Sequence, residues 1–375
     1  MAIISTNAIF LGKDGRLTVR NIDEEYKPSG QQTLVRVSHS AINPADQKHF
    51  FMGVSGYVAG YEWIGTAIDV GQDSPFRVGQ KLFGMSIPAD DRPLPAGAHQ
   101  DFLVADPEWT YVLPDNLDEV TAVGLPIAVH TSIDAIFNML GFSFKPAGVT
   151  GLSPVNVPIL IWGGGSCVGQ AGIQLAKAAG FAPIITTASP RNHDFLKSLG
   201  ATHCFDYRST TVVQDIQSAV APKKLTVVYD AVSTGLGFAE GLSAEEEMKL
   251  RGQYSKSSPA LARQCCDAKS ELKLVGVLPV PKDKDPDWMF PLPFRQPEGF
   301  PTPSPKGLES LFEGADPEWG VRMRQVWLWA LSKVGKGWQP FRSRLVRGIE
   351  PAIETIHEVA AGKAGGEKMV IEHPL

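Results

Sequence analysis

A glycine-rich segment, Trp162-Gly-Gly-Gly-Ser-Cys-Val-Gly169, contains the residue types and spacing that most directly suggest chemistry. Glycines after a strand allow a tight turn and the close approach of a pyrophosphate, and the N-terminus of a following helix supplies N–H groups and a partial positive charge. Against the dinucleotide fingerprint G-x-G-x-x-G, Gly164 and Gly169 match, whereas Ser166 replaces the middle glycine. The segment therefore predicts a dinucleotide site, with a purely structural turn as the alternative.

The segment from Thr186 to Asn192 indicates which nicotinamide cofactor is used. An enzyme that prefers NAD usually carries an acid at this point, which holds the ribose 2′-hydroxyl, but the first acid here is Asp194. Ser189, Arg191 and Asn192 are instead donors suited to a 2′-phosphate. NADPH is therefore favoured over NADH. The alternative is that Ser189 only caps the helix that follows it.

The sequence lacks the ligands that a zinc dehydrogenase needs. Such an enzyme requires thiolate and imidazole groups that converge on an open site. Asn43-Pro-Ala-Asp46 and Gly60-Tyr-Glu62 contain neither Cys nor His, and His130 is isolated. The four cysteines are too scattered for a structural zinc lobe or a disulfide scaffold, so we expect reduced and mostly buried thiols. No metal site is therefore predicted, and metal-assisted alcohol oxidation is disfavoured.

These motifs must be positioned by regular elements, and strands and helices alternate from Pro158 onward. Short apolar runs predict buried strands, and the periodic segments after them predict helices. The predicted strands are Pro158 to Trp162, Pro183 to Thr187, His203 to Phe205, Leu225 to Tyr229 and Leu272 to Leu278, and the predicted helices are Val168 to Ala179, Arg191 to Leu199 and Val212 to Val220. This alternation predicts a parallel, doubly wound α/β sheet.

The chain before this region is β-rich, and the chain after it is less regular. Repeated turn signals separate four predicted strands, which indicates a barrel-like antiparallel domain. The strands are Leu34 to Val37, Trp63 to Val70, Lys81 to Met85 and Asp101 to Val104. Nine of the 29 prolines lie between Pro279 and Pro305, which predicts a long loop or a lid. Further predictions are a surface helix or insertion at Ser243 to Gln253, helices at Trp319 to Trp338 and Gly348 to Ala361, and a closing strand at Lys368 to Ile371.

Composition and charge are those of an ordinary globular protein. At 375 residues the chain exceeds the usual size of one hydrophobic core, so two domains are expected. A net charge of −5 argues against nucleic-acid binding, because phosphate recognition needs a basic surface. Residues 1–10 lack the basic and apolar regions of a secretory signal, and the apolar runs are shorter than a membrane span. We therefore expect a cytoplasmic protein that does not bind membranes.

Several segments, in order along nearly the whole chain, share a family resemblance. They are Asn43-Pro-Ala-Asp-Gln-Lys48, Gly60-Tyr-Glu-Trp-Ile-Gly65, Val78-Gly-Gln-Lys-Leu-Phe-Gly84, Trp162 to Gly169, Thr187-Ala-Ser-Pro-Arg-Asn192, Ser198-Leu-Gly-Ala201 with Phe205-Asp-Tyr-Arg208, and the closing Gly362-Lys-Ala-Gly-Gly-Glu-Lys-Met-Val370. Together they resemble the fungal trans-acting enoyl reductases. That family lies in the quinone-reductase-like branch of the medium-chain dehydrogenase/reductase superfamily.

The resemblance implies a domain organisation and a set of site residues. It implies a GroES-like β-rich catalytic domain at 1–128, a Rossmann NADPH-binding domain at 129–300, and a segment at 301–375 that returns to the catalytic domain. Ala45, Asp46, Gln47 and Lys48 would line the nicotinamide half, Gly165, Ser166, Cys167 and Val168 the pyrophosphate, and Ser189, Pro190, Arg191, Asn192 and Tyr207 the adenosine phosphate. Val277, Leu278, Gly366 and Glu367 would close over the cofactor, and Thr131 and Ser132 would contact the substrate.

The implied reaction delivers a hydride to an α,β-unsaturated thioester and places negative charge on the thioester oxygen as an enolate. Without zinc, hydrogen-bond donors must stabilise that charge, and the nicotinamide must be oriented against the β-carbon. Lys48, which resembles the family's active-site lysine, is the first candidate catalytic donor, and Thr131 is the second. The alternatives are a surface lysine and an ordinary helix-start hydroxyl. The residues do not identify the proton source for the α-carbon, for which water is one option.

Three functions are compatible with these residues. The favoured one is an enoyl reductase that acts in trans on a substrate held as a thioester by the acyl carrier protein of a polyketide synthase. The others are a stand-alone NADPH-dependent quinone or enone reductase, and a non-redox NADP-binding protein that acts on a polyketide intermediate. Arg322, Arg324, Arg342, Arg344 and Arg347 either suit a carrier protein or form a solvated basic face. The prolines after Leu278 should obstruct pairing between sheet edges, so a monomer is expected.

Overall fold

The computed structural model describes residues 6–87, 92–236, 253–294 and 316–375. Within these residues the chain forms two compact units. Of the described residues, the first unit contains 6–87, 92–127 and 341–375, and the second contains 128–236, 253–294 and 316–340. The described part of the segment predicted at 301–375 is therefore divided, since residues 341–375 belong to the first unit and residues 316–340 to the second. The helix or insertion predicted at Ser243 to Gln253 lies outside the described residues except for Gln253.

Strands dominate the first unit, and strands and helices alternate in the second. In chain order, the strands are β1 (Thr6–Leu11), β2 (Leu17–Ile22), β3 (Thr33–Ala41), β4 (Tyr57–Val58), β5 (Glu62–Val70), β6 (Lys81–Met85), β7 (Phe102–Ala105), β8 (Thr110–Val112), β9 (Ile159–Trp162), β10 (Ile184–Thr187), β11 (His203–Phe205), β12 (Val227–Asp230), β13 (Lys273–Gly276), β14 (Trp288–Met289), β15 (Ser343–Arg347) and β16 (Lys368–Glu372). The α-helices are α1 (Ala45–Lys48), α2 (Glu119–Val123), α3 (Pro126–Ile133), α4 (Cys167–Ala179), α5 (His193–Leu199), α6 (Val212–Val220), α7 (Ser258–Gln264), α8 (Glu318–Lys333) and α9 (Ile349–Ala360).

The first unit is built around a largely antiparallel β-sheet, as its turn signals predict, and β15 and β16 form its parallel pair. The strand order is β15-β16-β3-β5-β6-β8, with β7 paired to β3, and β2-β1-β4 form a smaller sheet. Strand β3 pairs with β5 over its whole length, and two register shifts there bend the pair. Most residues of these strands are buried or half-buried, and Trp63 and Phe83 are among the largest fully buried side chains. The predicted strands in this region are therefore confirmed.

The second unit contains the parallel sheet that the alternating pattern predicts. Its strand order is β11-β10-β9-β12-β13-β14, and each neighbouring pair is parallel. Strands β9, β10 and β12 are buried along their length, which is why apolar residues predominate in them. The order reverses between β9 and β12, and in such sheets ligands bind outside the carboxyl ends of the strands at this point. The doubly wound fold is therefore confirmed.

Two features of the second unit differ from the simple sequence pattern. Strand β14 lies inside the proline-rich segment and pairs with β13, so that β13 is not the edge of the sheet. Helix α8 belongs to this unit because its Trp327 ring packs 4.4 Å from the His130 ring and its Arg322 donates to Asn138 Oδ1 at 2.8 Å. Burial of the large Trp327 ring attaches α8 to this unit, which the position of α8 in the sequence does not indicate.

Candidate active site

The loop between β9 and α4, residues 162–169, which we call the elbow, needs its glycines because of close contacts. Gly163 has a φ of +84°, which side chains rarely adopt. A methyl group at Gly164 would lie 2.1 Å from Thr186 Oγ1, and one at Gly169 would lie 2.4 Å from the Gly163 carbonyl oxygen. The glycine pattern of the sequence is therefore explained by the packing of the backbone against itself and against β10.

Ser166, the residue that departs from the fingerprint, is the N-cap of α4. Its Oγ accepts from the Gly169 amide at 3.0 Å and donates to the Gly163 carbonyl at 2.9 Å. Oγ also lies 3.2 Å from the Ala231 carbonyl. The cap satisfies the Gly169 amide, and the Ser166 amide donates to the Gly163 carbonyl at 3.0 Å. Gly165, Ser166, Cys167 and Val168 therefore lie at the positively polarised N-terminus of α4, and their contact with a pyrophosphate stays a prediction.

The residues after β10 form the next part of this edge. Ser189 is the N-cap of a short 3₁₀ turn at Pro190–Asn192, but its side chain makes no cap hydrogen bond. Arg191 is exposed, whereas Asn192 is buried with its amide nitrogen close to Gly165. Asp194, the first acid after the strand, is fully exposed and pairs with Lys197 at 3.8 Å. The capping alternative for the Ser189 hydroxyl is therefore not supported, and residues 187–193 after β10 include no carboxylate.

The ends of β11 and β13 carry the other predicted cofactor residues of the second unit. Tyr207 follows β11, has 46% of its surface exposed, and carries the Arg208 guanidinium 5.6 Å above its ring centre. Val277 and Leu278 follow β13 and are half-buried, and the Leu278 amide donates to Ser233 Oγ at 3.2 Å. Because all these strands are parallel, their carboxyl ends meet at the edge that carries the elbow.

Asp230, at the end of β12, is a site residue that the sequence reasoning missed. It is fully buried and accepts hydrogen bonds from the Val232 amide at 3.1 Å, the Ser233 amide at 2.9 Å and Ser258 Oγ at 2.6 Å. Burial raises the pKa of Asp230 to about 6, although these hydrogen bonds oppose the shift. The carboxyl fixes the turn whose Val232 side chain packs against Gly163. An acid directly after an apolar strand was the available signal.

Thr131 and Ser132 lie in α3, and both are buried. The Ser132 hydroxyl is within 3.0 Å of the Ala128 carbonyl and 2.8 Å of the Val168 carbonyl, and 3.3 Å from the Tyr229 hydroxyl. Ser132 therefore ties α3 to the first turn of α4. Its burial favours this positioning role over direct substrate contact.

In the first unit, the helical stretch from α1 through the 3₁₀ turn at His49–Met52 carries the predicted nicotinamide residues. Asp46 and Gln47 are buried, whereas Ala45, Lys48 and His49 are half-buried. Burial lowers the pKa of Lys48, and no described carboxylate pairs with its ammonium. An ammonium with this environment is available to donate to a ligand.

The side chains of Asp46 and Gln47 are turned into the first unit. Asp46 Oδ2 accepts from the Asn43 amide at 2.7 Å and lies 3.2 Å from His99 Nε2. Gln47 Oε1 lies 3.1 Å from His357 Nδ1 on α9. These contacts hold the turn in place, so any contact of these two residues with a cofactor would come from their backbone.

Asn43, Glu62 and Lys368 form a buried triad at the segments where zinc ligands were sought. Lys368 Nζ lies 2.5 Å from Glu62 Oε2 and donates to Asn43 Oδ1 at 2.7 Å. Asn43 Nδ2 donates to Glu62 Oε2 at 2.8 Å, and Glu62 Oε1 accepts from the Ile127 amide at 2.7 Å. The positive charge at this position is therefore an ammonium. In the described part of the chain, no group of three or more His, Cys, Asp or Glu could hold a metal ion.

A second polar group of the first unit, His49, Tyr57 and Tyr61, was also missed, and we call it the tyrosine relay. The Tyr61 hydroxyl lies 2.6 Å from His49 Nδ1 and 2.9 Å from the Tyr57 hydroxyl. The Arg92 guanidinium lies 4.8 Å from the Tyr61 ring centre and 5.3 Å from that of Tyr57. Desolvation lowers the pKa of His49 to about 4, so the imidazole is neutral near pH 7. Its members are separated in the sequence, and no short motif marks them.

Gly366 and Glu367, the last predicted cofactor contacts, immediately precede β16. Gly366 has a φ of +92°, and Glu367 is half-buried. Both belong to the first unit, as do Ala45 to Lys48, whereas the other predicted cofactor residues belong to the second. No helix of the described residues is long and apolar enough to cross a membrane.

Comparison with known proteins gives consistent matches. A family model described as zinc-binding dehydrogenase matches residues 167–247. A trans-enoyl reductase, mpsG of Macrophomina phaseolina (strain MS6), is 28% identical over 92% of this chain and 91% of the relative. Another, fsa3 of Fusarium sp. (strain FN080326), is 34% identical over 59% of this chain and 62% of the relative. A solved structure of CurK enoyl reductase has a TM-score of 0.67 at 17% identity, covering 98% of this chain and 99% of that one.

The two-unit fold and these matches agree with each other. The chain has the fold of the solved enoyl reductase structure, with a GroES-like unit and a Rossmann unit. The predicted resemblance to the fungal trans-acting enoyl reductases is confirmed by relatives at 28–35% identity. Several of these relatives are matched over only 56–64% of their length.

Proposed function

We propose that the protein is an NADPH-dependent, zinc-independent enoyl reductase that acts in trans on α,β-unsaturated polyketide thioesters in fungal secondary metabolism. The comparisons support an oxidoreductase that acts on carbon–carbon double bonds. The observation that carries the proposal is the elbow, whose closely packed glycines bring the N-terminus of α4 to the carboxyl edge of the sheet, beside a strand end without an acid. The cofactor, when bound, would supply a hydride to the β-carbon of the substrate.

The residues of the elbow and of the neighbouring strand ends fit this cofactor. The turn from Gly165 to Val168 would hold the pyrophosphate through amides at the positive end of α4. Ser189, Arg191 and Asn192, with Tyr207, would hold the adenosine 2′-phosphate, since exposed Arg191 presents a planar fork for it. Val277 and Leu278, with Gly366 and Glu367, would close over the cofactor.

The charge that develops on the thioester oxygen needs a donor, and Lys48 is the strongest one. Its ammonium is half-buried and has no described ion-pair partner, so it can orient the nicotinamide half or stabilise the enolate. Thr131 would be the second donor towards nicotinamide and substrate. Ser132 would act through α3, given its buried hydrogen bonds.

Zinc independence is part of the same proposal and rests on the donor set. A zinc ion needs deprotonated or neutral ligands with open lone pairs. The lone pairs of Asn43 and Glu62 are occupied by the Lys368 ammonium, and the Tyr61 hydroxyl is bound to His49 and Tyr57. An additional divalent cation at this position would be repelled by Lys368.

The partner would be the acyl carrier protein that holds the substrate as a thioester. The C-terminal arginines give this limited support, because Arg322 pairs with Asp316, Arg347 pairs with Glu372, and Arg344 lies 4.0 Å from Glu358. Solvated and partly neutralised side chains are the better description of these residues. A monomeric state and a cytoplasmic location complete the proposal and rest on the sequence.

Cofactor choice is tested by the dissociation constants of NADPH and NADH, measured by fluorescence titration. We expect Arg191→Ala to weaken NADPH binding by about 10- to 100-fold, since a hydrogen bond to a charged group contributes about 1.5–3 kcal/mol. Binding of NADH should change little. Arg77→Ala, on an exposed side chain of the first unit, is the control. Equal loss for both cofactors would reject the 2′-phosphate role.

The substrate class is tested by NADPH oxidation with enoyl pantetheine thioesters and, in parallel, with small quinones. Turnover of the thioesters supports the proposed function. Efficient quinone turnover without thioester activity would identify the stand-alone reductase instead. Cofactor binding without oxidation of any enone or quinone would indicate the non-redox alternative.

A further inference from the structure

A chain of hydrogen-bonded polar side chains in the first unit links α1 to the residue that follows β16. Its members, in order of contact, are Asp46, His99, Ser40, His373 and Asp101. His99 Nε2 lies 3.2 Å from Asp46 Oδ2, and His99 Nδ1 lies 2.9 Å from Ser40 Oγ. His373 Nε2 lies 2.9 Å from the same hydroxyl oxygen, and His373 Nδ1 lies 3.0 Å from Asp101 Oδ1. All of these side chains except that of Asp101 are inaccessible to water, so water does not compete for their contacts.

The His99 ring is held tightly at the start of this chain. A methyl group at Gly60, whose φ is +91°, would lie 2.6 Å from His99 Nδ1, so the ring packs directly on this backbone. Asp46 also interacts electrostatically with Arg92, but the Arg92 guanidinium donates to the Gly60 and Ala96 carbonyl oxygens. Among the described residues, His99 is therefore the ionisable base that pairs with Asp46.

The chain needs one proton more than two neutral rings and one hydroxyl supply. Each of its four contacts requires one hydrogen. Each neutral imidazole contributes one, and the Ser40 hydroxyl contributes one. The two carboxylates act as acceptors, since Asp46 Oδ2 also accepts from the Asn43 amide and Asp101 Oδ1 from the Leu375 amide. One of the two rings must therefore carry a proton on both nitrogens.

The two rings differ in their ability to hold the additional proton. Burial lowers the pKa of His373, although its hydrogen bond with Asp101 opposes this shift, so the His373 ring is neutral near neutral pH. It then donates from Nδ1 to Asp101 and accepts from the Ser40 hydroxyl at Nε2. Because that hydroxyl has a single hydrogen, His99 Nδ1 must donate to the Ser40 oxygen, while His99 Nε2 donates to Asp46. Loss of either partner from such a buried pair leaves an unpaired charge, so the pair fixes one geometry.

We propose that His99 is a positioning residue, whose doubly protonated ring anchors the α1 turn through Asp46 and thereby places Lys48 against the nicotinamide half of the cofactor. This inference rests on the proposed function, which assigns that contact to Lys48. Asp46 and Lys48 both lie in α1, so a shift of the carboxylate moves the ammonium with it. A misplaced donor loses most of its effect on the group that it orients.

The two halves of the cofactor should depend on His99 to different extents. Arg191 and Tyr207, which would hold the adenosine phosphate, belong to the second unit, whereas Lys48 belongs to the first. A change at His99 should therefore weaken contacts with the nicotinamide half alone. A purely structural role of His99 would not separate the two halves in this way.

The test compares the dissociation constants of NADPH and of adenosine 2′,5′-bisphosphate, which lacks the nicotinamide half, in the full-length protein. We expect His99→Gln to raise the NADPH constant by about 3- to 10-fold, because the anchor of the turn is lost. The constant for adenosine 2′,5′-bisphosphate should not change. Lys48→Met should give the same selective loss, and adding His99→Gln to it should have little further effect, since His99 acts through Lys48.

Two further variants separate this role from a general loss of folding. Ser40→Ala removes the acceptor of His99 Nδ1 but leaves the ring beside Asp46, so it should weaken NADPH selectively and to a smaller extent than His99→Gln. His39→Gln, at a half-buried histidine next to Ser40 that pairs with Glu119, is the control. It should bind both ligands like the wild type.

The protonation state of the ring is measured by NMR on protein labelled with ¹⁵N-histidine, near neutral pH, with His99→Gln providing the assignment. Two protonated nitrogens are expected on His99. A neutral His99 ring would overturn the inference. Unchanged NADPH binding in both His99→Gln and Ser40→Ala, or equal weakening of the two ligands, would overturn it as well. A wild type that binds neither ligand would instead reject the proposed function.

Discussion

The elbow of the second unit and the polar groups of the first unit are constructed in opposite ways. The elbow is one continuous stretch, residues 162–169, whose donors are backbone amides and whose shape is set by glycine contacts. The buried triad and the tyrosine relay use side chains that are far apart in the sequence, from Asn43 to Lys368. A site made by backbone leaves a local sequence pattern, whereas a site made by side chains from several strands leaves none.

The two regions also differ in where electrostatic free energy is stored. In the elbow, charge comes from the helix end, and it is present whatever side chains surround it. In the first unit, Glu62 and Lys368 are both nearly inaccessible to water, and each depends on the other. Such a pair contributes little over apolar packing but makes the loss of one partner costly. The following predictions separate the two types of construction.

The largest effect is expected in the triad. Lys368→Met leaves Glu62 buried without a cation, and the free energy of unfolding should fall by about 3–5 kcal/mol. Denaturant unfolding measures this loss. The double variant Lys368→Met with Glu62→Gln should recover most of it, since no charge then remains buried. Lys81→Met, at an exposed ion pair with Glu119, is the control and should change stability by less than about 1 kcal/mol. Equal losses of unfolding free energy for Lys368→Met and Lys81→Met would contradict the special cost of breaking the buried triad.

The elbow should respond to volume rather than to charge. Gly169→Ala places a methyl group against the Gly163 carbonyl, and overpacking of this kind costs about 1–3 kcal/mol. We expect the NADPH dissociation constant to rise about 10- to 100-fold, as measured by titration. Gln214→Ala, at an exposed position of α6 in the same unit, is the control. An affinity loss as large in the control would show that the backbone contacts do not shape the site.

Asp230 combines the two types of construction, because it is a buried carboxyl side chain that supports the backbone of the elbow. Its pKa is about 6 in the folded protein, so between about pH 4 and pH 6 the native state holds more protons than the unfolded state. The free energy of unfolding should therefore decrease as the pH rises through this window, by on the order of 2 kcal/mol in total. Asp230→Asn should abolish this decrease in unfolding experiments at pH 4 and pH 7. Asp194→Asn, at a fully exposed side chain, should retain it.

The smallest effect is expected at Ser166. Ser166→Ala removes the cap of α4, which should lower the free energy of unfolding by about 1 kcal/mol. The same hydroxyl also donates to the Gly163 carbonyl, so NADPH binding should weaken as well, but only slightly. Ser166→Thr retains the hydroxyl and should restore thermal stability. A thermal midpoint unaffected by Ser166→Ala would show that the elbow does not depend on this cap.

The sequence was informative wherever burial determines the composition or the periodicity of a segment. The apolar runs that become β9, β10 and β12 are buried on both faces, so their composition alone reveals them. The two-residue strand β14 escaped prediction because its pairing with β13 depends on where the proline-rich segment is placed by the rest of the unit. Helix α8 was recognisable as a helix, but its attachment to the second unit follows from contacts with His130 and Asn138.

The sequence by itself determined the parallel sheet, the elbow and the absence of an acid after β10, because each depends on residues within one turn or one strand. The tertiary structure decided that Lys368 fills the position between Asn43 and Glu62, that Asp230 supports the elbow, and that Tyr61 stands behind His49. Those arrangements depend on side chains brought together by sheet register and strand order. Local periodicity carries no information about such pairings, since their partners are fixed only when the whole chain has folded.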